Sequence, residues 1–269
     1  MDPESKSHGG FWHRLSFLFT ERLSFFKTLV FNLNYFPLRQ ALRFPVIVHR
    51  NVSLLKMKGR VVVNLSEEDP GRVRLGRRRY GFQGRSHRTV WEVKGGTVEF
   101  GNDVVLGQGT FLSVGKRGHL KFGDRVSVGG NGKIICRCTV EIGADTMTAW
   151  DVQILDTDFH PTVNTVFHTF NEVEKPVRIG RMNWLCMGAT ILKGTRTPDG
   201  CIVGANTTLT RDHSKDGSNI LLDYEEPVVA ARHICFDQAV FDDNALVSRK
   251  ADHRIPSSRT HPPSAADCG

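Results

Sequence analysis

Long apolar runs are missing from the chain: none approaches the about 20 residues that a helix needs to cross a bilayer, so a helical membrane protein is not expected. Cysteine is scarce and scattered, at 136, 138, 186, 201, 235 and 268, with the spacing of neither a disulfide framework nor a paired zinc site. Cys136 and Cys138 form an isolated CxC whose side chains are expected to share one face of a strand as reduced thiols. A secretory signal is not expected either. Asp2 and Glu4 open the chain, and Arg14, Glu21 and Arg22 interrupt the apolar positions that follow, so a cytoplasmic protein is expected.

Charge is uneven. Residues 1–99 carry 18 Lys+Arg against 8 Asp+Glu, and residues 100–269 carry 18 against 20, so the net +8 belongs to the N-terminal third. Eight phenylalanines lie between Phe11 and Phe44 in the same stretch. Leu15, Leu18, Phe19, Phe26, Leu29, Val30 and Leu33 fall at helical spacing, with Arg22 interrupting the stripe. Such a helix can cap the open end of a stacked fold. It can also lie on an anionic membrane surface, as a peripheral contact. Arg77-Arg78-Arg79 raises nucleic acid as a third partner, but no base-reading motif accompanies the scattered charge, and none is expected to bind.

What is abundant is a rhythm. From Ile179 the chain reads IGRMNW, LCMGAT, ILKGTR, TPDGCI, VGANTT, with lead residues Ile179, Leu185, Ile191, Thr197, Val203 and then Leu209. Neither a helix nor an alternating strand repeats every six residues, whereas hexads of short strand plus turn do, three to a triangular coil. Coils stack at strand spacing, about 4.8 Å, with the lead residues inward. The rhythm recurs upstream at Phe100, Leu106, Leu112; at Phe122, Val128, Ile134; and at Ile142, Thr148, Ile154, slipping phase at Gly115–His119 and around Cys138–Val140. Glycines follow the lead at 101, 107, 123, 129, 143, 180 and 204, where no bulk is tolerated. A β-sandwich would space its strands by about 8–12 residues. A mainly β fold follows, a parallel β-helix of hexapeptide repeats.

The organisation expected is an aromatic-rich, basic N-terminal segment over 1–60 (helix, then extended chain), the β-helix over 61–212, and a closing segment over 213–237. That last segment contains a short strand at Asn219–Leu222 and the run Pro227-Val228-Val229. A tail of Pro- and Ser-rich composition occupies 238–269 and reads as disordered from about 249.

The chemistry is expected where the repeat breaks. After Ile154 the chain reads Leu155, Asp156, Thr157, Asp158, Phe159, His160, Pro161, and hexads resume only at Ile179. Loops held by rigid coils are where solenoids carry function. His160 there is a natural general base, and Asp156 or Asp158 is placed to accept its other ring N–H.

DTDFHP, the loop, KPVRIGRMNWLCMGATILKG and IVGANTTLTRD resemble the hexapeptide-repeat acyltransferases of the left-handed β-helix class, above all bacterial sugar and capsular-polysaccharide O-acetyltransferases. The likeness is strongest from about Thr148 to Asp212, continues more weakly from about Tyr35 to Ile142, and is faint at Asn219–Phe236. It implies a left-handed β-helix, a homotrimer, acetyl-CoA bound in grooves between neighbouring β-helices, and catalysis at subunit interfaces. It also implies that His160 takes the proton of an acceptor hydroxyl. Trp184, in Asn183-Trp184, would lie beside the pantetheine arm, Gly204 and Ala205 would admit the cofactor closely, and Arg211 would meet a CoA phosphate. No metal is implied.

Two departures stand out: Trp184-Leu185-Cys186 where the family reads W-I-G, and Gly204-Ala205-Asn206-Thr207 where it reads G-A-G-S. The resulting expectation is an acetyl-CoA-dependent O-acetyltransferase of a sugar or oligosaccharide hydroxyl in surface-polysaccharide synthesis, cytoplasmic or peripheral at the inner membrane face. The alternatives are a carbonic-anhydrase-like zinc enzyme using His160, His168 and His119, whose spacing fits poorly, and a non-catalytic trimeric scaffold or membrane-surface protein.

Overall fold

The computed structural model describes residues 23–64, 72–77, 87–164, 169–216 and 220–221. Leu15, Leu18 and Phe19 of the expected helix, Arg78 and Arg79, His168, Pro227–Val229 and the tail lie outside these residues. The hexads build a left-handed parallel β-helix, each coil passing through three faces. Face I stacks Val46–Val48, Val73–Arg77, Val105–Gly107, Ser127–Val128, Met147–Thr148, Trp184–Leu185, Ile202–Val203 and Ile220–Leu221, all in parallel. Face II runs from the first half of Thr89–Phe100 through Phe111–Val114, Lys133–Cys136, Gln153–Leu155, Thr190–Ile191 and Thr208–Leu209. Face III takes the second half of Thr89–Phe100, then His119–Phe122, Thr139–Ile142 and Val177–Ile179, with single bridges at Arg196 and Asp212. Parallel register is already present at Val46–Val48 and Val52–Val63, before residue 61.

The six-residue leads are register partners, which is why the rhythm exists. Phe100, Phe122, Ile142 and Ile179 form one inward column, Leu106, Val128, Thr148, Leu185 and Val203 a second, and Leu112, Ile134, Ile154, Ile191 and Leu209 a third. All are buried. Phe100 and Phe122 stack almost parallel, with ring centroids 5.1 Å apart. The two threonines among the leads are satisfied polar members: Thr148 Oγ1 accepts from Gly129 N at 2.9 Å, and Thr197 Oγ1 from Gly180 N at 3.0 Å. The phase slip at Gly115–His119 is the corner from face II to face III, where this coil adds a second inward pair, Val114 and Leu120.

The corners explain the small residues. A Cβ on Gly129 would lie 2.2 Å from the Ala149 carbonyl oxygen of the next coil, and one on Gly180 2.3 Å from that of Pro198. Coil-on-coil contact therefore forbids a side chain there. Beside them runs a different column, Asn131, Asp151, Gly188 and Asn206, whose φ angles of 58°, 61°, 70° and 57° are left-handed. Asn, Asp and Gly are the residues that adopt this conformation most readily.

Helix α1 (Phe25–Tyr35) is capped by Ser24, whose hydroxyl accepts from Lys27 N, and is followed by the short helix α2 (Leu38–Ala41). The face it buries is not the expected stripe: Thr28, Phe31 and Asn32 are buried, while Phe26 and Leu33 are 75% and 46% exposed. The reason is the first strand edge. Asn32 Nδ2 donates to Val46 O at 2.7 Å, its Oδ1 accepts from Val46 N at 3.2 Å, and Thr28 Oγ1 accepts from Val48 N at 3.0 Å. The helix thus supplies the hydrogen bonds that a preceding coil would otherwise provide, and an edge strand needs such cover. Phe31 meets Trp91 edge-to-face at 5.1 Å, and Trp91 Nε1 donates to Tyr35 Oη at 3.1 Å.

Leu185→Ala empties a position in the middle of an inward column and is expected to cost about 2–5 kcal/mol. Phe26→Ala removes an exposed ring and is expected to stay within about 0.5 kcal/mol of wild type. Denaturant unfolding of both variants checks the contrast.

Candidate active site

The chain leaves the coil after Gln153–Leu155 and returns at Val177–Ile179, at the corner between faces II and III. Between them it forms a hairpin. Thr157 bridges Glu174 antiparallel, and Val163–Asn164 pairs with Thr169–Phe170 in the same sense. Three contacts brace its base: Asp158 N donates to Val173 O at 2.9 Å, Lys175 N to Asp156 O at 3.0 Å, and Thr162 N to Asn171 Oδ1 at 2.6 Å. Lys193, on the next coil, reaches up between the Asp158 carboxylate (2.9 Å) and the Glu172 carbonyl. Arg117 pairs with Glu174 at 3.0 Å from below.

His160 is exposed on this hairpin, and no described residue hydrogen-bonds its ring. The expected orienting carboxylates are engaged elsewhere. Asp156 is fully buried and accepts from Arg137 N at 2.7 Å and Cys138 N at 2.8 Å, so it closes the corner of the coil below. Asp158 accepts from Asn171 Nδ2 at 2.8 Å in addition to its Lys193 pair. Both carboxylates hold the arm that presents the histidine. Next to His160, Phe159 adopts a left-handed φ of 65°, and the Arg137 guanidinium lies 5.6 Å above its ring. Arg137 and Lys193 were not expected at this site. The signal for them is register: Arg137 and Lys193 each stand two positions after a residue, Ile135 and Ile191, stacked on the strand from which the loop departs.

The CxC does not share one strand face. Cys136 ends a strand and is buried, whereas Cys138 lies beyond it and is half-buried. Burial, with the Asp156 charge alongside, pushes the Cys138 thiol up to about 11 and the Cys136 thiol higher still, so both stay protonated at neutral pH.

The residues expected to meet acetyl-CoA lie on other parts of the surface. Trp184 alternates with the inward Leu185, so it faces outward on face I, half-buried between its register neighbours Met147 and Ile202. Asn183 does not face outward: it is buried, its Oδ1 accepting from Cys201 N at 2.8 Å and its Nδ2 donating to Pro198 O at 3.0 Å. It belongs to the corner column Val104, Val126, Thr146, Asn183 and Cys201. Gly204 is buried at the corner from face I to face II, and Ala205 beside it is exposed. Cys186 sits in the corner column otherwise held by Gly107, Gly129, Ala149 and Gly204, and burial pushes its thiol up. Arg211 is exposed and pairs with Asp216 through Nη1 at 3.1 Å and Nη2 at 3.0 Å. Asp216 also lies 2.7 Å from His213 Nδ1, and Arg211 and then His213 hold its carboxyl below the usual range. His119, named for a zinc site, lies on face III at 3.0 Å from Glu99.

Asp156→Ala strands two backbone N–H groups at a buried corner and is expected to lower stability by about 2–4 kcal/mol. Asp158→Ala breaks a half-exposed pair and is expected to change stability by less than about 1 kcal/mol. Chymotrypsin, cutting at Phe159 or Phe170, should nonetheless cleave the Asp158 variant faster than wild type. Equal cleavage rates would show that Lys193 does not brace the arm.

No protein-family model matches the chain. Among curated proteins it is 27% identical over 113 residues to Rv3034c of Mycobacterium tuberculosis, provisionally assigned as an acetyltransferase, covering 42% of this chain and 37% of that protein. It is 31% identical over 124 residues to WbbJ of Escherichia coli K12, provisionally assigned as a lipopolysaccharide biosynthesis O-acetyl transferase, covering 42% and 62%. The match spans less than two thirds of either relative. Among solved structures, the polysialic acid O-acetyltransferase OatWY aligns with a TM-score of 0.44 at 24% identity, over 60% of this chain and 80% of its own. The polySia-specific acetyltransferase NeuO aligns with a TM-score of 0.40 at 18% identity, over 62% and 69%. With its hexad rhythm, its stacked parallel coils and these sequence relatives, the chain is a hexapeptide-repeat protein related to bacterial acetyltransferases.

Proposed function

We propose that the chain is an acetyl-CoA-dependent O-acetyltransferase that modifies a sugar hydroxyl in surface-polysaccharide synthesis, working in the cytoplasm as a homotrimer. The observation that carries this reading is the exposed His160 ring, without a hydrogen bond among the described residues, on a hairpin whose base is held by Asp156, Asp158 and Lys193. A general base has to be free at the nitrogen that receives the proton and fixed in position, and this arrangement suits both needs. In the reaction, a His160 ring nitrogen takes the proton of the acceptor hydroxyl as its oxygen attacks the thioester carbonyl carbon. The C–S bond then breaks, the thiolate of CoA leaves, and the proton held by His160 returns to it. Direct transfer needs no acyl-enzyme.

The acyl donor is read onto Trp184, whose indole stands beside Met147 and Ile202 as an apolar wall for the pantetheine arm, and onto the exposed Ala205 beside Gly204. Arg211 is partly neutralised by Asp216 and contributes to a CoA phosphate with its remaining donors. Placement supports oligomerisation. His160 emerges at the corner between faces II and III, while Trp184 lies on face I, the side of the triangle opposite that corner. A site that uses both draws them from different copies.

Calorimetry with acetyl-CoA and thiol release over a sugar panel test the reading. Wild type is expected to bind the donor, Trp184→Ala to bind it about tenfold more weakly, and His160→Ala to bind normally while losing about 10²–10⁴ in rate. A wild type that shows no binding at millimolar donor would overturn the enzyme reading. A His160→Ala variant of normal rate would move the base elsewhere.

A further inference from the structure

We propose that the outer side of helices α1 and α2 is a docking surface for an anionic lipid membrane. Residues on α1 advance by about 100° each, so Phe25, Phe26, Leu29, Val30 and Leu33 share about 140° of arc, facing away from the side that holds the first strand. Phe25 and Phe26 are 71% and 75% exposed. On α2 and just after it, Leu38 and Leu42 are 64% and 57% exposed and stand one turn apart, with the exposed Arg39 and Arg43 beside them. Phe25 meets Phe44 edge-to-face at 5.9 Å, which ties the start of α1 to the chain after α2. Asn34 Nδ2 donates to Met57 O at 3.0 Å, which sets the exposed Leu55, Lys56 and Lys58 alongside. An apolar patch of this extent on a stable fold marks a contact site.

Charge selects the occupant. Residues 22–66 contain Arg22, Lys27, Arg39, Arg43, Arg50, Lys56, Lys58 and Arg60 and not one Asp or Glu. Lys27 is spent on the Arg50 and Val52 carbonyls, and the exposed Arg39, Arg43 and Lys58 flank the apolar ridge. Aromatic and aliphatic side chains ringed by cations, in a segment that carries no acid of its own, match the boundary between acyl chains and anionic headgroups. A second copy of this chain would bring the same cations against themselves, which disfavours self-association through this face.

The full-length protein is sedimented with vesicles of phosphatidylglycerol and phosphatidylcholine, and with vesicles of phosphatidylcholine alone. Binding is expected to the anionic vesicles only, and to fall as salt rises. The double variant Phe25→Glu/Phe26→Glu and the double variant Arg39→Glu/Arg43→Glu are each expected to weaken it by at least about tenfold. Because all four side chains are exposed, thermal unfolding of both variants is expected to match wild type, so lost binding is not lost folding. No sedimentation of wild type with anionic vesicles overturns the proposal. So does binding that both variants keep, which would assign the contact to another part of the chain such as residues 1–21. A shift of wild type to smaller species on Phe25→Glu/Phe26→Glu substitution also overturns it, since the patch would then be a protein interface. None of these outcomes depends on whether the protein transfers acetyl groups.

Discussion

Everything in this molecule answers to the distance between one coil and the next. Parallel strands stack about 4.8 Å apart, and at the corners the backbones of successive coils touch. Gly101, Gly107, Gly123, Gly129, Gly143 and Gly180 each leave no room for a Cβ against the coil above. The same spacing makes the inward columns: a residue type that fits at Leu106 has to fit at Val128, Thr148 and Leu185, because each lies on the one before. Polar members enter the columns only where their hydrogen bonds close, as at Thr148, Thr197 and Asn183. An unpaired polar group at such a position costs about 1–3 kcal/mol.

A rigid stack of this kind can depart from its path only at a corner, and the departure has to be tied down on both sides. The hairpin over 157–174 is held in this way. Asp156 secures the coil below through the Arg137 and Cys138 amides, and Lys193 reaches from the coil above. The arm is therefore anchored by a fully buried carboxylate at its root, while Phe159, Val163 and Phe170 along it are exposed. Firm support at the root is what a loop needs to hold a side chain in a fixed position.

The parts of this arrangement that could be read from sequence are those with a period. The hexads revealed the columns because register partners recur at a fixed chain distance, and the break after Ile154 revealed where the arm leaves. Side-chain roles without a period were harder to read. The helix pattern pointed to Phe26 and Leu33 as its buried side, yet the strand edge required hydrogen bonds, and Thr28 and Asn32 turned inward to supply them. Asn183 beside Trp184 read as part of a ligand site, whereas its amide completes the next coil. Asp156 and Asp158 read as partners of His160 because they are near it in the chain. In space the backbone amides of the coil below and Lys193 are nearer claims on them.

Cys186 shows how the stack and the function constrain each other. Lower in the same corner column Gly107 and Gly129 admit no side chain, but the column opens to Ala149 and then to Cys186 before returning to Gly204. The Cys186 thiol, half-buried and pushed up by burial, stays protonated at neutral pH. It follows the outward Trp184 by two positions, so its volume borders the same strip of surface. In a protein whose coils cannot slide, the bulk beside Trp184 is set at one corner, and Cys186 holds that position.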